Sequence, residues 1–417
     1  MSIIQATPYV PGGARGTLQK GPEKASAGRI CVLTQPDLAA LHSRPSGIIV
    51  VEAAPFSHPM LHLLSRGVPT VLITEEMSGK LAYGEEAFVD GLAGRIIQPA
   101  PTDIEARPAP TPPAAGQAII LSDRSELLLR ASIFDYRDAS LAVKQGAAAL
   151  GLVRTEFMIP LDGRVPDERF YEETLLDLCR SALPLAVTLR LPDITQDKPV
   201  PWLDSTQAND RPFGMQGVRL YSSDPVHRAV NALIKAVNHI SEHYSVSLLL
   251  PYVTRLDEFS AWRQEIAQIL HRVIPIGAMA ETPAAVLAMP HWFETADFVA
   301  IGCNDLMQCF FGADRDLADA RNYLDAYSPE LYRFLQQAAI AAGGHLHNIQ
   351  LCGQLALMPG VLPVLLGMGY RVFSVAPIMI PYLADFVQRI DIVQAQSLAR
   401  QVCEARTTAD VRALLCA

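Results

Sequence analysis

Apolar residues in this chain gather into short, near-continuous runs, and the spacing of those runs changes once along its length. Before residue 100 the runs are RICVL, GIIVV, PTVLI, AFVDG and GRIIQ. Their length and β-branched content predict strands, with one helical segment, PMLHLLSRG, between the second and third. Residues 1–100 are therefore expected to form a compact β/α domain. In the stretch PAPTDIEARPAPTPPAAGQ, repeated proline fixes φ and favours extended chain, so residues 101–117 read as a Pro-rich linker. From 118 to 417 eight runs follow: LLLRASI, ALGLV, LAVTLR, VSLLLPYV, VIPIGAM, DFVAIG, NIQLCG and RVFSVA. Eight is the number a (β/α)₈ barrel requires, and runs without polar alternation suit strands buried on both faces. Intervening segments such as DASLAVKQGAAA and RFLQQAAIAAGG are long enough for helices. The apolar stretch GQLALMPGVLPVLLGMGY is broken by Pro359, Gly360 and Pro363, and reads as barrel interior and loop, not as a membrane span.

Polar residues collect just past the ends of these runs. ALGLV leads to Arg154, Thr155 and Glu156, LAVTL to Arg190 and Asp193, IPIGAMA to Glu281, FVAIG to Asn304 and Asp305, and NIQL to Cys352. Barrel enzymes build their active sites on this face, at the C-terminal ends of the strands. Glu281 and Asp305 could supply two oxygen ligands from neighbouring strands, which suits Mg²⁺, an ion that keeps open positions for water and substrate. Each could equally cap a helix or pair with an arginine. Arg154, Arg190 and Arg315 suit an anionic substrate, since guanidinium binds phosphate and carboxylate bidentately. Rim salt bridges are the alternative for any one of them. Cys352 is either a small core residue or a catalyst. In the first domain Ser57-His58 opens the helical segment, where backbone donors and the helix dipole favour a phosphoryl group. No role follows for His62.

Charge narrows the partners. The net charge is −9 and Lys and Arg are nowhere clustered, which argues against nucleic acid. With 18% charged and 50% hydrophobic residues the chain can bury a large core and is not expected to be disordered. Seven scattered cysteines without a CxxC pair suggest reduced thiols and a cytoplasmic location. MSIIQATPYVPGGARG lacks the basic and apolar regions of a signal peptide.

Taken in order, these segments resemble the phosphoenolpyruvate-utilising phosphotransferases: phosphoenolpyruvate synthase, pyruvate phosphate dikinase and enzyme I of the sugar phosphotransferase system. ATPYVPGGARG and GIIVVEAAPFSHPMLHLLSRGVPTVLI resemble the family's swivelling phosphohistidine domain. GAAALGLVRTEFMI, TLRLPDITQDKP, LLLPYVTRLDEF, IGAMAETPAAV, ADFVAIGCNDLMQCFFGADR and LCGQLALMPGVLPVLLGMGYRVFS resemble its barrel motifs. The resemblance implies that His58 carries the phosphoryl group, Arg154 and Arg190 hold the substrate phosphate, and Glu281 and Asp305 hold Mg²⁺. It further implies that Asn304 and Arg315 grip the carboxylate, that Cys352 moves a proton at the methylene carbon, and that barrels pair as homodimers.

Three departures fall mainly on phosphate handling. The family's arginine in a segment like FLGWRGIR is replaced by Gln216 in FGMQGVR, with Arg219 or Arg211 as substitutes to be considered. The glutamate after Cys-Gly is Gln354, and Ala53-Ala54-Pro55-Phe56 stands where Gly-Gly-x-Thr precedes Ser-His. No ATP-grasp domain, Gly-rich phosphate loop or phosphocarrier-binding insertion is evident in the sequence. The leading expectation is a Mg²⁺-dependent enzyme interconverting phosphoenolpyruvate and pyruvate through phospho-His58, with a separate protein or subunit as phosphoryl donor or acceptor. A degenerate regulatory binder of phosphoenolpyruvate or an oxoacid, or a barrel enzyme on another enolisable acid without phosphohistidine, are the alternatives.

Overall fold

The computed structural model describes residues 2–23, 25–102, 107–160, 162–194, 200–203 and 214–415. The chain divides into two compact units. The first comprises Met1–Thr111 together with Asp314–Leu324 and Pro381–Asp385; the second holds the remainder.

The first unit is an eight-stranded sheet of β1 (Ser2–Gln5), β2 (Thr7–Val10), β3 (Gly13–Lys20), β4 (Arg29–Thr34), β5 (Gly47–Val51), β6 (Thr70–Ile73), β7 (Glu86–Asp90) and β8 (Arg95–Gln98). The spatial order is β1-β8-β7-β3-β4-β5-β6-β2. β3 to β6 run parallel at the centre, and the flanking pairs are antiparallel. Strict alternation of side chains across the pleat explains why GIIVV is apolar throughout. Ile49 and Val51 pack on one face with Ile30 and Val32. Ile48 and Val50 pack on the other with Cys31, Leu33, Met60 and Leu63. Met60 and Leu63 belong to the helix His58–Arg66, which crosses from β5 to β6.

The five strands expected here all form. β1, β2 and β3 carry no continuous apolar run and are added by the fold. β3 buries Ala14, Gly16 and Leu18 in alternation with half-exposed residues, and β1 buries Ile4 alone.

In the second unit β9 (Ile119–Ile120) pairs antiparallel with β10 (Glu126–Ile133). The barrel continues with β11 (Leu150–Arg154), β12 (Val187–Arg190), β13 (Val246–Val253), β14 (Ile276–Ala280), β15 (Val299–Gly302), β16 (Ile349–Cys352) and β17 (Val372–Val375). Each pairs in parallel with the next, and β10 pairs with both β11 and β17, which closes the ring. All eight apolar runs after residue 118 become these strands. Amphipathic helices cover the outside. Asp224–Ile240, for example, buries Val226, Ala229, Val230, Leu233 and Val237, the i, i+3, i+4, i+7 stripe of a surface helix.

One finer expectation changes. The stretch beginning at Gly353 is not barrel interior: it forms the helix Val361–Gly367, packed against the helix Ile392–Glu404. Among the described residues no helix is long and apolar enough to cross a membrane. The proline-rich segment is tied down at both ends, by Ala100 N–H to Glu86 O (3.0 Å) in the first unit and Gly116 N–H to Ala147 O (2.9 Å) in the second. Residues 103–106 of the expected linker and 195–199 of TLRLPDITQDKP lie outside the described residues.

Leu63 anchors the helix that begins at His58, being fully packed among Cys31, Ile48 and Val50. Leu63→Ala is expected to cost about 2–5 kcal/mol of stability in the first unit, read as a lowered denaturant midpoint for that transition.

Candidate functional site

The barrel's functional side chains sit where strands end. Arg154 closes β11 and Arg190 closes β12; Glu281 follows β14; Asn304 and Asp305 lie in the first turn of the helix Cys303–Phe311 after β15; Cys352 closes β16. Parallel barrel strands all present their C-terminal ends on one rim, so residues up to 198 positions apart in sequence, Arg154 and Cys352, share a layer.

Arg190 is the hub. Its guanidinium is 3% exposed at the residue level, pairs with Glu156, lies 3.1 Å from Asp193 Oδ2 and 4.0 Å from Glu281 Oε1. Burial alone would lower its pKa, but the three carboxylates outweigh burial and hold it well above the usual arginine range. Its backbone carbonyl accepts a 2.7 Å hydrogen bond from Thr155 Oγ1, which locks β11 to β12 at the rim. Arg154 lies over the Phe134 ring, 4.2 Å from the centroid, a cation–π contact that holds a cation without neutralising it.

Glu281 is buried, and its Oε2 accepts 2.9 Å from the Tyr252 N–H, at a register irregularity of β13 where Tyr252 takes φ 52°. Gly302 makes the space: a Cβ there would lie 2.6 Å from Glu281 Oε1. Burial first and the charge of Asp305 second push the Glu281 carboxyl up to about 8, against the pull of Arg190. The buried Glu281 carboxylate and the nearby, half-buried Asp305 form a donor set suited to a hard divalent cation. Among the described residues no cluster of three or more His, Cys, Asp or Glu able to hold a metal occurs.

Asn304 Oδ1 accepts from the Gln354 N–H at 3.0 Å, which leaves the Asn304 Nδ2 as the group that can donate to a ligand. Cys352 is buried and accepts from Gln350 Nε2 at 3.1 Å. Burial pushes its thiol up to about 11, with Gln350, Arg154 and Arg190 pulling down and Glu281 adding to the rise. A thiol in this range is protonated at neutral pH and has a proton to give.

His58 belongs to the first unit. It opens the helix His58–Arg66, with Ser57 as the buried N-cap residue whose Oγ has no hydrogen-bond partner. Asp316 Oδ1 accepts from the His58 backbone N–H at 2.9 Å, and Oδ2 lies 3.2 Å from Nδ1. Arg315 Nη2 lies 2.8 Å from Nε2. A guanidinium only donates and a carboxylate only accepts, so the pair selects the tautomer with hydrogen on Nδ1 and the lone pair on Nε2. Burial would raise the Asp316 carboxyl, but its bonds to His58 and the nearby Arg315 hold it below the usual range, so it stays ionised.

The barrel thus assembles Arg154, Arg190, Glu281, Asn304, Asp305 and Cys352, as the rim pattern implied. Arg315 is engaged with His58, whereas the resemblance assigned it to the carboxylate. Gln216 is buried; Arg219 donates to Gly214 O at 2.9 Å and lies over the Tyr252 ring, while Arg211 lies outside the described residues. Sequence reading assigned no part to Asp316, Gln350 or Arg130, and Glu156 and Asp193 were flagged only as polar rim residues. The alternation of charge in ADRD was the available signal for Asp316.

The family described as PEP-utilising enzyme, PEP-binding domain matches residues 114–392. Among curated relatives, the chain is 28% identical to the phosphoenolpyruvate-protein phosphotransferase of Haloferax volcanii, covering 92% of this chain and 70% of that protein. It is 27% identical to the phosphoenolpyruvate-dependent phosphotransferase system protein of Salmonella typhimurium, covering 91% and 53%. It is 28% identical to the multiphosphoryl transfer protein of Xanthomonas campestris, covering 96% and 51%. The chain spans about half the length of the second and third of these.

Removing the hub strands its buried carboxylates. Arg190→Met is expected to destabilise the barrel by about 3–5 kcal/mol, the cost of breaking a buried ion pair from one side, with Arg190→Lys intermediate, as measured by thermal or denaturant unfolding.

Proposed function

We propose that this chain, which belongs to the PEP-utilising enzyme family through its PEP-binding domain, interconverts phosphoenolpyruvate and pyruvate by exchanging a phosphoryl group with His58. The observation that carries the reading is the buried, protonated Cys352 thiol within electrostatic reach of Arg154, Arg190 and Glu281 on one barrel rim. An acid, two phosphate-binding cations and a carboxylate pair are the parts that enolpyruvate chemistry needs.

In this reading Arg154 and Arg190 bind the substrate phosphate, Arg190 being held in place in advance by Glu156 and Asp193. Asn304 Nδ2 donates to the substrate carboxylate. Glu281 and Asp305 would hold Mg²⁺, which when bound supplies Lewis-acid stabilisation of phosphoryl and enolate oxygens. The His58 Nε2 lone pair forms the N–P bond as the O–P bond to the enol oxygen breaks. Asp316 keeps the hydrogen on Nδ1 and balances the charge the ring gains, and Arg315, already on Nε2, is assigned to the transferred phosphoryl group. The enolate then takes a proton at its methylene carbon. The Cys352 S–H bond breaks, the C–H bond forms, the enolate C–O becomes the ketone, and a thiolate remains. The second phosphoryl partner is a separate protein or domain, a reading supported by relatives named for phosphoryl transfer between proteins.

Incubation with Mg²⁺ and phosphoenolpyruvate labelled in its phosphate should give an acid-labile protein adduct. His58→Ala should abolish it, and Asp316→Asn should slow it about 10–100-fold, the worth of one hydrogen bond to a charged group. Label of wild-type extent in His58→Ala would sink the phosphohistidine reading.

The raised Glu281 carboxyl sets a pH dependence. Below about 8 it holds a proton that a cation must displace, so Mg²⁺ affinity should rise with pH up to about 8 and level off above it. Calorimetry in buffers of different ionisation enthalpy should find proton release near one per Mg²⁺ at pH 7, lost in Glu281→Gln.

A further inference from the structure

Arg130 is a half-buried charge that the mechanism above does not use. It lies on β10, its Nε is buried with no hydrogen-bond partner, and no carboxylate pairs with it among the described residues. Its polar contact among the described residues is Nη1 to Gln350 Oε1, 3.3 Å away. Gln350, on β16, is 2% exposed, and its Nε2 donates both to Gly151 O on β11 (3.0 Å) and to Cys352 Sγ (3.1 Å). β10, β11 and β16 are not all neighbours in the ring, so these side chains meet across the barrel interior. Room for them comes from Gly151, where a Cβ would fall 2.5 Å from Gln350 Oε1 and 2.7 Å from Arg130 Cβ.

A glutamine amide can rotate end for end, and here both ends are specified. The guanidinium can only donate, so it takes Oε1; the Gly151 carbonyl can only accept, so it takes Nε2. The amide N–H is thereby aimed at sulfur. Partly desolvating a guanidinium that has no carboxylate partner among the described residues is costly. The group it reaches through Gln350 is the one whose charge changes during the proton transfer.

We propose that Arg130 and Gln350 are positioning residues for Cys352: Arg130 fixes the Gln350 amide, and Gln350 holds the sulfur in place and stabilises the thiolate left after proton transfer. This rests on the reading of Cys352 as the proton donor. The electron pair of the broken S–H bond stays on sulfur, where the Gln350 N–H meets it, until the thiolate retakes a proton from pyruvate or from water.

Two readouts test the proposal and separate its failure from that of the parent reading. The first is exchange of pyruvate methyl protons with deuterated solvent, with Mg²⁺ present, followed by NMR. The second is the rate at which methyl methanethiosulfonate modifies Cys352 at one fixed pH, followed by mass spectrometry of its peptide. Gln350→Leu and Arg130→Met should each lower the exchange kcat about 10–100-fold, the worth of a hydrogen bond to a charged group, with the KM for pyruvate held within about twofold. Both should slow modification of Cys352. Arg130→Lys, which keeps a half-buried cation and serves if the apolar variants fail to fold, should fall between wild type and Arg130→Met in both readouts. Unchanged modification rates in Gln350→Leu and Arg130→Met overturn the proposal, whatever the exchange rate does. Slowed modification in a protein whose wild type exchanges no methyl protons keeps the hold on the sulfur and overturns Cys352 as proton donor.

Discussion

Charges buried at the end of a barrel must be paired, and Arg190 is the pairing on which this rim is built. Its guanidinium meets Glu156, Asp193 and Glu281, which arrive from three different strand ends. Each carboxylate alone would carry a large desolvation cost in that place. Together they hold the arginine charged and fixed in orientation. The same demand shapes the neighbours. Thr155 closes onto the Arg190 carbonyl, and Tyr252 adopts a left-handed φ with its N–H on Glu281.

Around that hub the site separates groups by charge and protonation. Cys352 and Glu281 are both pushed towards their neutral forms by burial, yet with different consequences. The thiol has a polar donor in Gln350 and remains a proton source. The carboxyl has Asp305 nearby, whose charge adds to the rise, and Arg190, which opposes it. Two titratable groups on one rim are thus driven the same way by burial but tuned by different neighbours.

The first unit applies the same logic on a smaller scale. Asp316 and Arg315 grip opposite nitrogens of His58, and their donor and acceptor characters decide which nitrogen keeps its lone pair. Ser57 presents a buried hydroxyl with no partner at the start of the same helix, beside the backbone donors of its first turn. An imidazole oriented by a carboxylate at one nitrogen, with a guanidinium at the other, is a geometry that suits an anionic group.

Much of this was legible in the residues. Eight apolar runs after residue 118 became eight barrel strands, because strands buried on both faces must be apolar at every position and leave a local mark. The chemistry at their ends, Arg154, Arg190, Glu281, Asn304, Asp305 and Cys352, was visible for the same reason: polar residues abruptly end apolar runs. β3 was not legible, since a strand with alternating small buried residues resembles a loop in sequence. Nor could sequence show that Arg315 and Asp316 serve His58 across more than 250 positions, or that Arg130 and Gln350 converge on Cys352. Local pattern follows from burial, which every residue of a strand feels alike. Pairing of charges and donors depends on distances that exist only once the strands have closed and the chain has folded.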